Sequence, residues 1–202
     1  MKKYCFYIFI SCFLISSCST RFDKNSVIND CLSSSVKDST KEIIIVTEKI
    51  NPNQIIEIFR GTIYKNSENM LERDGGVPTS LYNDKDWEEM KNKYSSKSTV
   101  NSNFWMTNKS WNKNNFKLQK LTFENYNEVL KKLEKHLYSD DSEIKIFSFS
   151  DPIYYKKKKY LVVAVSLATT KTAGFYSSFI LILKKVNGRW VIINKTESNI
   201  IS

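Results

Sequence analysis

An α+β domain, with early helices packed on a C-terminal antiparallel β-meander, is what this sequence predicts, and three observations carry that reading. Tyr126, Val129, Leu130, Leu133 and Leu137 fall on one stripe of a helix running from Asn125 to about Tyr138. Tyr160 to Ala168 is a continuous Val- and Ala-rich run of the kind a central strand makes, and Tyr176 to Val186 follows as a second strand. Asn187-Gly188 then supplies the two φ > 0 residues of a type I′ turn, which returns the chain into Arg189 to Asn194.

Taken in order, the chain divides into residues 1–17, a leader; 18–41, a flexible tether; and 42–202, a single α+β domain. The tether is mostly Ser, Thr, Asn, Asp and Lys, a composition that favours an open coil. Within it Val27, Ile28, Cys31, Leu32 and Val36 recur at helical spacing and predict a short helix docked on the domain. Ile43-Ile44-Ile45-Val46 is a strand or a buried helical turn, too short for periodicity to decide. Asn51-Pro52 is an N-cap followed by proline at the first helical position, and it opens a helix that buries Ile55, Ile56 and Phe59 and stops near Gly61. Asn66 to Thr79, with Asp74-Gly75-Gly76 and Pro78, reads as a loop.

Asp84 or Asp86 caps the next helix, which carries Trp87, Met90 and Tyr94 at spacings of three and four. Ser95 to Asn115 is polar but holds Trp105 and Trp111, either inward anchors or the rim of a groove. Phe116, Leu118 and Leu121 alternate as in a strand. After the long helix, in which Asn125 and Glu128 have capping-box spacing, a strand is expected from Glu143 to Phe149. Ile153 to Tyr155 is apolar, and Lys156 to Lys159 is a charged turn.

Composition narrows the classes. Without residues 1–17 the chain keeps 185 of its 202 residues, enough for one domain with a substantial core. Removing Lys2 and Lys3 from a net charge of +10 leaves +8, and the lysines are spread along the chain as solvating charge, so no nucleic-acid partner is expected. Cysteines stand at 5, 12, 18 and 31, and the first two leave with the leader.

The leader has the order of a secretory signal: Lys2 and Lys3, an apolar run from Tyr4 to Ile15, then small residues. A helix of that run covers ~18 Å, too short for the ~30 Å hydrocarbon core of a bilayer. Ile15-Ser16-Ser17-Cys18 resembles the lipobox of bacterial lipoproteins, a branched apolar residue and two small ones before a cysteine. The resemblance implies cleavage between Ser17 and Cys18 by the lipoprotein signal peptidase, with lipid attached to the Cys18 thiol and to its amino group. It further implies a membrane partner through those acyl chains, and Ser19 resembles the residue that directs such proteins to the outer membrane. With Cys18 acylated, Cys31 is left as the one thiol, and neither an intramolecular disulfide nor a Cys-type zinc site can form.

A second resemblance covers the last fifty residues or so. Ser150-Asp151-Pro152-Ile153-Tyr154, Lys159-Tyr160-Leu161-Val162 and Lys185-Val186-Asn187-Gly188-Arg189-Trp190 are similar to the C-terminal pattern of small uncharacterised bacterial lipoproteins. Those relatives often join the two long strands by a cysteine-glycine hairpin, where this chain has Thr169 to Gly174.

No cofactor, metal site or catalytic set is expected. His136 is the single histidine, and the glycines form neither a phosphate loop nor a nucleophile elbow. Asp140-Asp141 and Glu88-Glu89 read as helix caps and solvated faces. Lys156, Lys157, Lys158 and Lys159 are the candidate contact for an anionic surface, with Tyr154, Tyr155 and Tyr160 as interfacial aromatics. The expected function is a lipid-anchored, non-enzymatic binding or interaction module of the cell envelope with a possible envelope protein partner. An immunity-type or inhibitory lipoprotein and a carboxylate-dependent envelope hydrolase are the alternatives.

Overall fold

The computed structural model describes residues 25–35, 42–95, 105–118, 120–136, 143–171 and 175–198. Residues 1–24, Ser17 and Cys18 among them, and Asp140-Asp141 lie outside that set. Among the described residues no helix is long and apolar enough to cross a membrane.

The fold is α+β, built on one seven-stranded sheet with both faces covered. Its strands are β1 (Ile43–Val46), β6 (Thr122–Glu124), β7 (Lys145–Phe149), β8 (Ile153–Tyr155), β9 (Tyr160–Thr169), β10 (Phe175–Val186) and β11 (Arg189–Glu197). They run in the order β11-β10-β9-β7-β1-β6, and β8 also pairs with β9. The antiparallel β9-β10-β11 meander forms as expected, with Asn187 and Gly188 at φ 50° and 80° in its turn. The sheet as a whole is mixed, however, because β1 pairs in parallel with both β6 and β7. Helix α4 (Tyr126–His136) is the crossover from β6 to β7, two parallel strands with β1 between them. Its Val129 and Leu133 close over Ile44, Val46, Ile146 and Ala168.

β9 is apolar on both sides because both sides are buried. Leu161, Val163 and Val165 face one layer, where helix α1 (Ser26–Ser35) contributes Val27, Ile28 and Leu32. This part of the stretch 18–41 therefore belongs to the packed domain, with the docked helix where the spacing placed it, rather than to an open tether. Val162 and Ala164 face the opposite layer, where α2 (Pro52–Arg60) and α3 (Asp84–Tyr94) contribute Ile55, Phe59, Trp87 and Met90. β7 and β8 lie end to end along β9, separated at Pro152, which has no N–H for a ladder. At that break the Ser150 hydroxyl accepts the Ala164 N–H at 2.9 Å.

Several local expectations change. Asn66 to Thr79 is not a simple loop: β3 (Thr62–Lys65) and β4 (Leu71–Asp74) form a hairpin in which Tyr64 donates to Glu72 at 2.8 Å. Its side chains are mostly exposed, so it leaves no burial periodicity in the sequence. The cap of α3 is Asn83, whose side-chain oxygen accepts the Asp86 N–H; Asp84 and Asp86 occupy the first turn, where their charges suit the helix dipole. Phe116 to Leu121 is not a strand. A 3₁₀ turn over Lys113–Asn115 turns Phe116 inward against Trp111 and Phe123, and pairing starts only at Thr122.

Tyr155 ties β8 to the loop before α3: its hydroxyl accepts the Asn83 N–H and donates to the Leu81 carbonyl, each at 3.0 Å. Burial is the main cause that pushes this phenol up to about 12, with the Asp86 charge adding to it and the Asn83 N–H opposing. Tyr82 rises to about 12 through burial and then through its hydrogen bond to Asp84. In the unfolded chain both ionise near 10.0, so the folded state binds the extra protons above that pH. Their contribution to stability is complete below 10.0 and is lost as pH rises through about 12. Urea melts across this range should show a falling midpoint, with a shallower fall in Tyr155→Phe; identical slopes would remove Tyr155 from the account.

Candidate functional site

A narrow apolar cleft lies on the α2 side of the sheet, between α2 and the first residue of α4. Two short strands build one wall: β2 (Glu48–Ile50) pairs antiparallel with β5 (Met106–Ser110). Asn51 starts α2 by accepting the Asn53 N–H on its side chain, while its own N–H donates to the Trp105 carbonyl at 2.7 Å. The Glu48 carboxylate accepts the Tyr126 N–H at 2.9 Å and so holds the start of α4 beside the same strand. Asn125 caps that helix through the Glu128 N–H. These bonds bring Ile50, Trp105, Met106 and Tyr126 to the lining of the cleft, which Ile58 of α2 also borders. Burial raises the Tyr126 phenol above its ordinary pKa.

The floor is polar. Ser148 of β7 stands opposite Ser166 of β9, and Ser166 stands opposite Ser178 of β10, so three hydroxyls form a row across one face of the sheet. Ser166 and Ser178 line the cleft with their hydroxyl oxygens 2.8 Å apart. Gln54 enters from α2. It is 1% exposed, and neither its amide nitrogen nor its amide oxygen has a hydrogen-bond partner among the described residues. Leaving such a group unpaired costs ~1–3 kcal/mol, whereas an apolar side chain of similar length would fill the space without that cost. An apolar cleft with a few convergent polar groups has the chemistry of a ligand site.

The sequence did not single out these residues. Gln54 lies one turn before Ile58, but Asn53 beside it on the same helix is also an amide, so nothing local sets Gln54 apart. The serine row needs the strand register, which no single strand reveals. Trp105 and Trp111 divide the two roles open to them. Trp105 lines the cleft, whereas Trp111 is an inward anchor whose indole N–H donates to the Phe149 carbonyl at 3.1 Å under the Lys49 ammonium.

Lys156 to Lys159 form the β8-β9 turn, with Lys156, Lys157 and Lys158 at φ 51°, 51° and 68°. Lys156, Lys157 and Lys158 border a more open cavity of about 300 Å³ together with Lys93, but Asp86 and Glu89 border it too. Lys156 Nζ lies 3.9 Å from Asp86 Oδ2, and Lys159 lies over the Tyr160 ring at 5.6 Å. Tyr155 and Tyr160 are core residues, not interfacial aromatics, because they pack into the α2 layer. Glu88 and Glu89 are exposed on α3, and Cys31 is a half-buried cysteine packed against the α1 layer. Among the described residues no cluster of His, Cys, Asp and Glu has the makings of a metal site. No family model, no curated protein and no solved structure matches the chain.

Proposed function

We propose that this chain is a lipid-anchored lipoprotein of the cell envelope whose domain is a non-enzymatic binding module. The anchor rests on the basic, apolar and small-residue order of residues 1–17 and on the lipobox-like Ile15-Ser16-Ser17-Cys18. Acyl chains on Cys18 give a membrane partner, and Ser19 favours the outer membrane. The observation that carries the binding reading is Gln54, a buried amide with both polar atoms unpaired beside an apolar cleft. Such a group is tolerated where something else completes its hydrogen bonds. The described residues that line the cleft include no carboxylate, and the neighbouring Glu48 carboxylate is occupied by the Tyr126 N–H, which favours binding over carboxylate-dependent hydrolysis at this place.

Metabolic labelling with a fatty-acid probe tests the anchor. The native chain should take up label and fractionate with membranes, and Cys18→Ala should do neither. Equal labelling of the two would remove Cys18 as the attachment point.

A further inference from the structure

The cleft's free volume is about 60 Å³. At about 10–15 Å³ of such space per water this is room for a few waters, and it is less than half of a ~150 Å³ cavity that takes up benzene. A compact head group with the first atoms of an unbranched chain fits it; a ring does not. The cleft is partly open to solvent, so the remainder of a ligand can lie outside.

The polar groups define the head. Gln54 offers an N–H donor and a carbonyl acceptor side by side, so its complement also carries one donor and one acceptor side by side. A primary carboxamide meets that pattern with two antiparallel N–H···O bonds. An alcohol can make both only through a single oxygen, with bent and weaker bonds. A carboxylate has no donor for the Gln54 oxygen, and an ammonium has no acceptor for the Gln54 nitrogen. None of the described residues that line the cleft is charged, so either ion would also be desolvated with no counter-charge in the lining. The Ser166-Ser178 pair adds one more donor: when one hydroxyl donates to the other at 2.8 Å, the second keeps its hydrogen for a further acceptor. Ile50, Ile58 and Met106 supply apolar surface for the chain that follows the head.

Resting on the binding-module reading above, we infer that this cleft recognises a neutral primary carboxamide carried on an unbranched apolar chain, with Gln54 as the specificity-determining residue. The carboxamide oxygen accepts from Gln54 Nε2 and from the serine pair, and its N–H donates to Gln54 Oε1.

The test uses the purified full chain, labelled with ¹⁵N, and four probes: butanamide, butan-1-ol, butanoate and benzamide. The Gln54 side-chain NH₂ signal, assigned by its loss in Gln54→Met, is followed by NMR during each titration. Butanamide should shift that signal and bind at least tenfold more tightly than each of the other probes. Gln54→Met should weaken butanamide at least tenfold, weaken butan-1-ol by a smaller factor, and raise the melting temperature of the ligand-free chain. That gain in stability separates a recognition residue from a structural one, whose replacement would lower it. Equal affinity for butanamide and butan-1-ol, or an unchanged butanamide affinity in Gln54→Met, would overturn the carboxamide assignment while leaving an apolar binding cleft. If none of the probes perturbs the signal, the cleft only holds water, and the binding reading of this site falls as well.

Discussion

Phe59→Ala should lower the unfolding free energy by about 3–5 kcal/mol, the range for emptying a packed aromatic site. Phe59 is fully buried at the end of α2, with its ring centroid 4.5 Å from that of Tyr155 and 6.4 Å from that of Tyr82. It therefore joins α2, β8 and the loop before α3, and the rings around it are fixed by the Tyr155 hydrogen bonds and by Arg73, whose guanidinium lies 4.3 Å over Tyr82. Partners held this way collapse poorly into a vacated space. A domain of this size has a total stability of about 5–15 kcal/mol, so the variant loses a large share of it. Urea denaturation gives the number directly, with Phe59→Leu as the smaller-loss comparison. A loss under about 1 kcal/mol would mean that the layer repacks freely.

Gly61→Ala should cost about 3 kcal/mol or more, from two effects that add. Gly61 has φ 72° and ψ −170°, a region that is essentially glycine's own and costs ~1–3 kcal/mol for other residues. In addition, a Cβ there would lie 2.4 Å from the Asp74 carbonyl oxygen and 2.7 Å from the Gly75 carbonyl carbon, both backbone atoms that no rotamer change can move. Gly76 makes the reciprocal approach, its Cβ position lying 2.7 Å from the carbonyl of Arg60. The end of α2 and the base of the β3-β4 hairpin thus meet backbone to backbone, and Arg73 completes the joint by donating to the carbonyls of Arg60 and Val77. Gly188 is the control: its φ of 80° is also positive, but an added Cβ has no atom within 4 Å, so Gly188→Ala costs only ~1–2 kcal/mol of backbone strain. Equal losses at the two positions would refute the steric part of the account.

Signals that depend on neighbours in sequence carried through to the structure. Asn51-Pro52 and Gly61 bound α2 as their chemistry requires, Asn187-Gly188 turns β10 into β11, and the Val129 and Leu133 stripe faces the sheet. Features that depend on distant partners did not show. Ile43 to Val46 has no periodicity to set its direction, and its parallel neighbours come from residues 122–124 and 145–147. Asn83, Asp84 and Asp86 are all competent cap residues, and the hydrogen bond from Tyr155 to Leu81, with Asn83's own N–H on the same hydroxyl, accompanies the choice of Asn83. The cleft is the extreme case. Gln54, Trp105, Tyr126, Ser166 and Ser178 come from five separate elements or their flanks, and only the assembled sheet brings them together.

β11 ends the strand order, with Val191, Ile192 and Ile193 exposed. Its pairing with β10 shifts at Ile193, because Leu183 faces Ile192 while Ile182 faces Asn194. The edge therefore consists of two stretches, residues 189–192 and 194–197, out of phase by one residue. A second copy laid along it can match the side-chain alternation of one stretch only by presenting the wrong face to the other. That mismatch is a built-in guard against copies of the chain zipping edge to edge into fibrils.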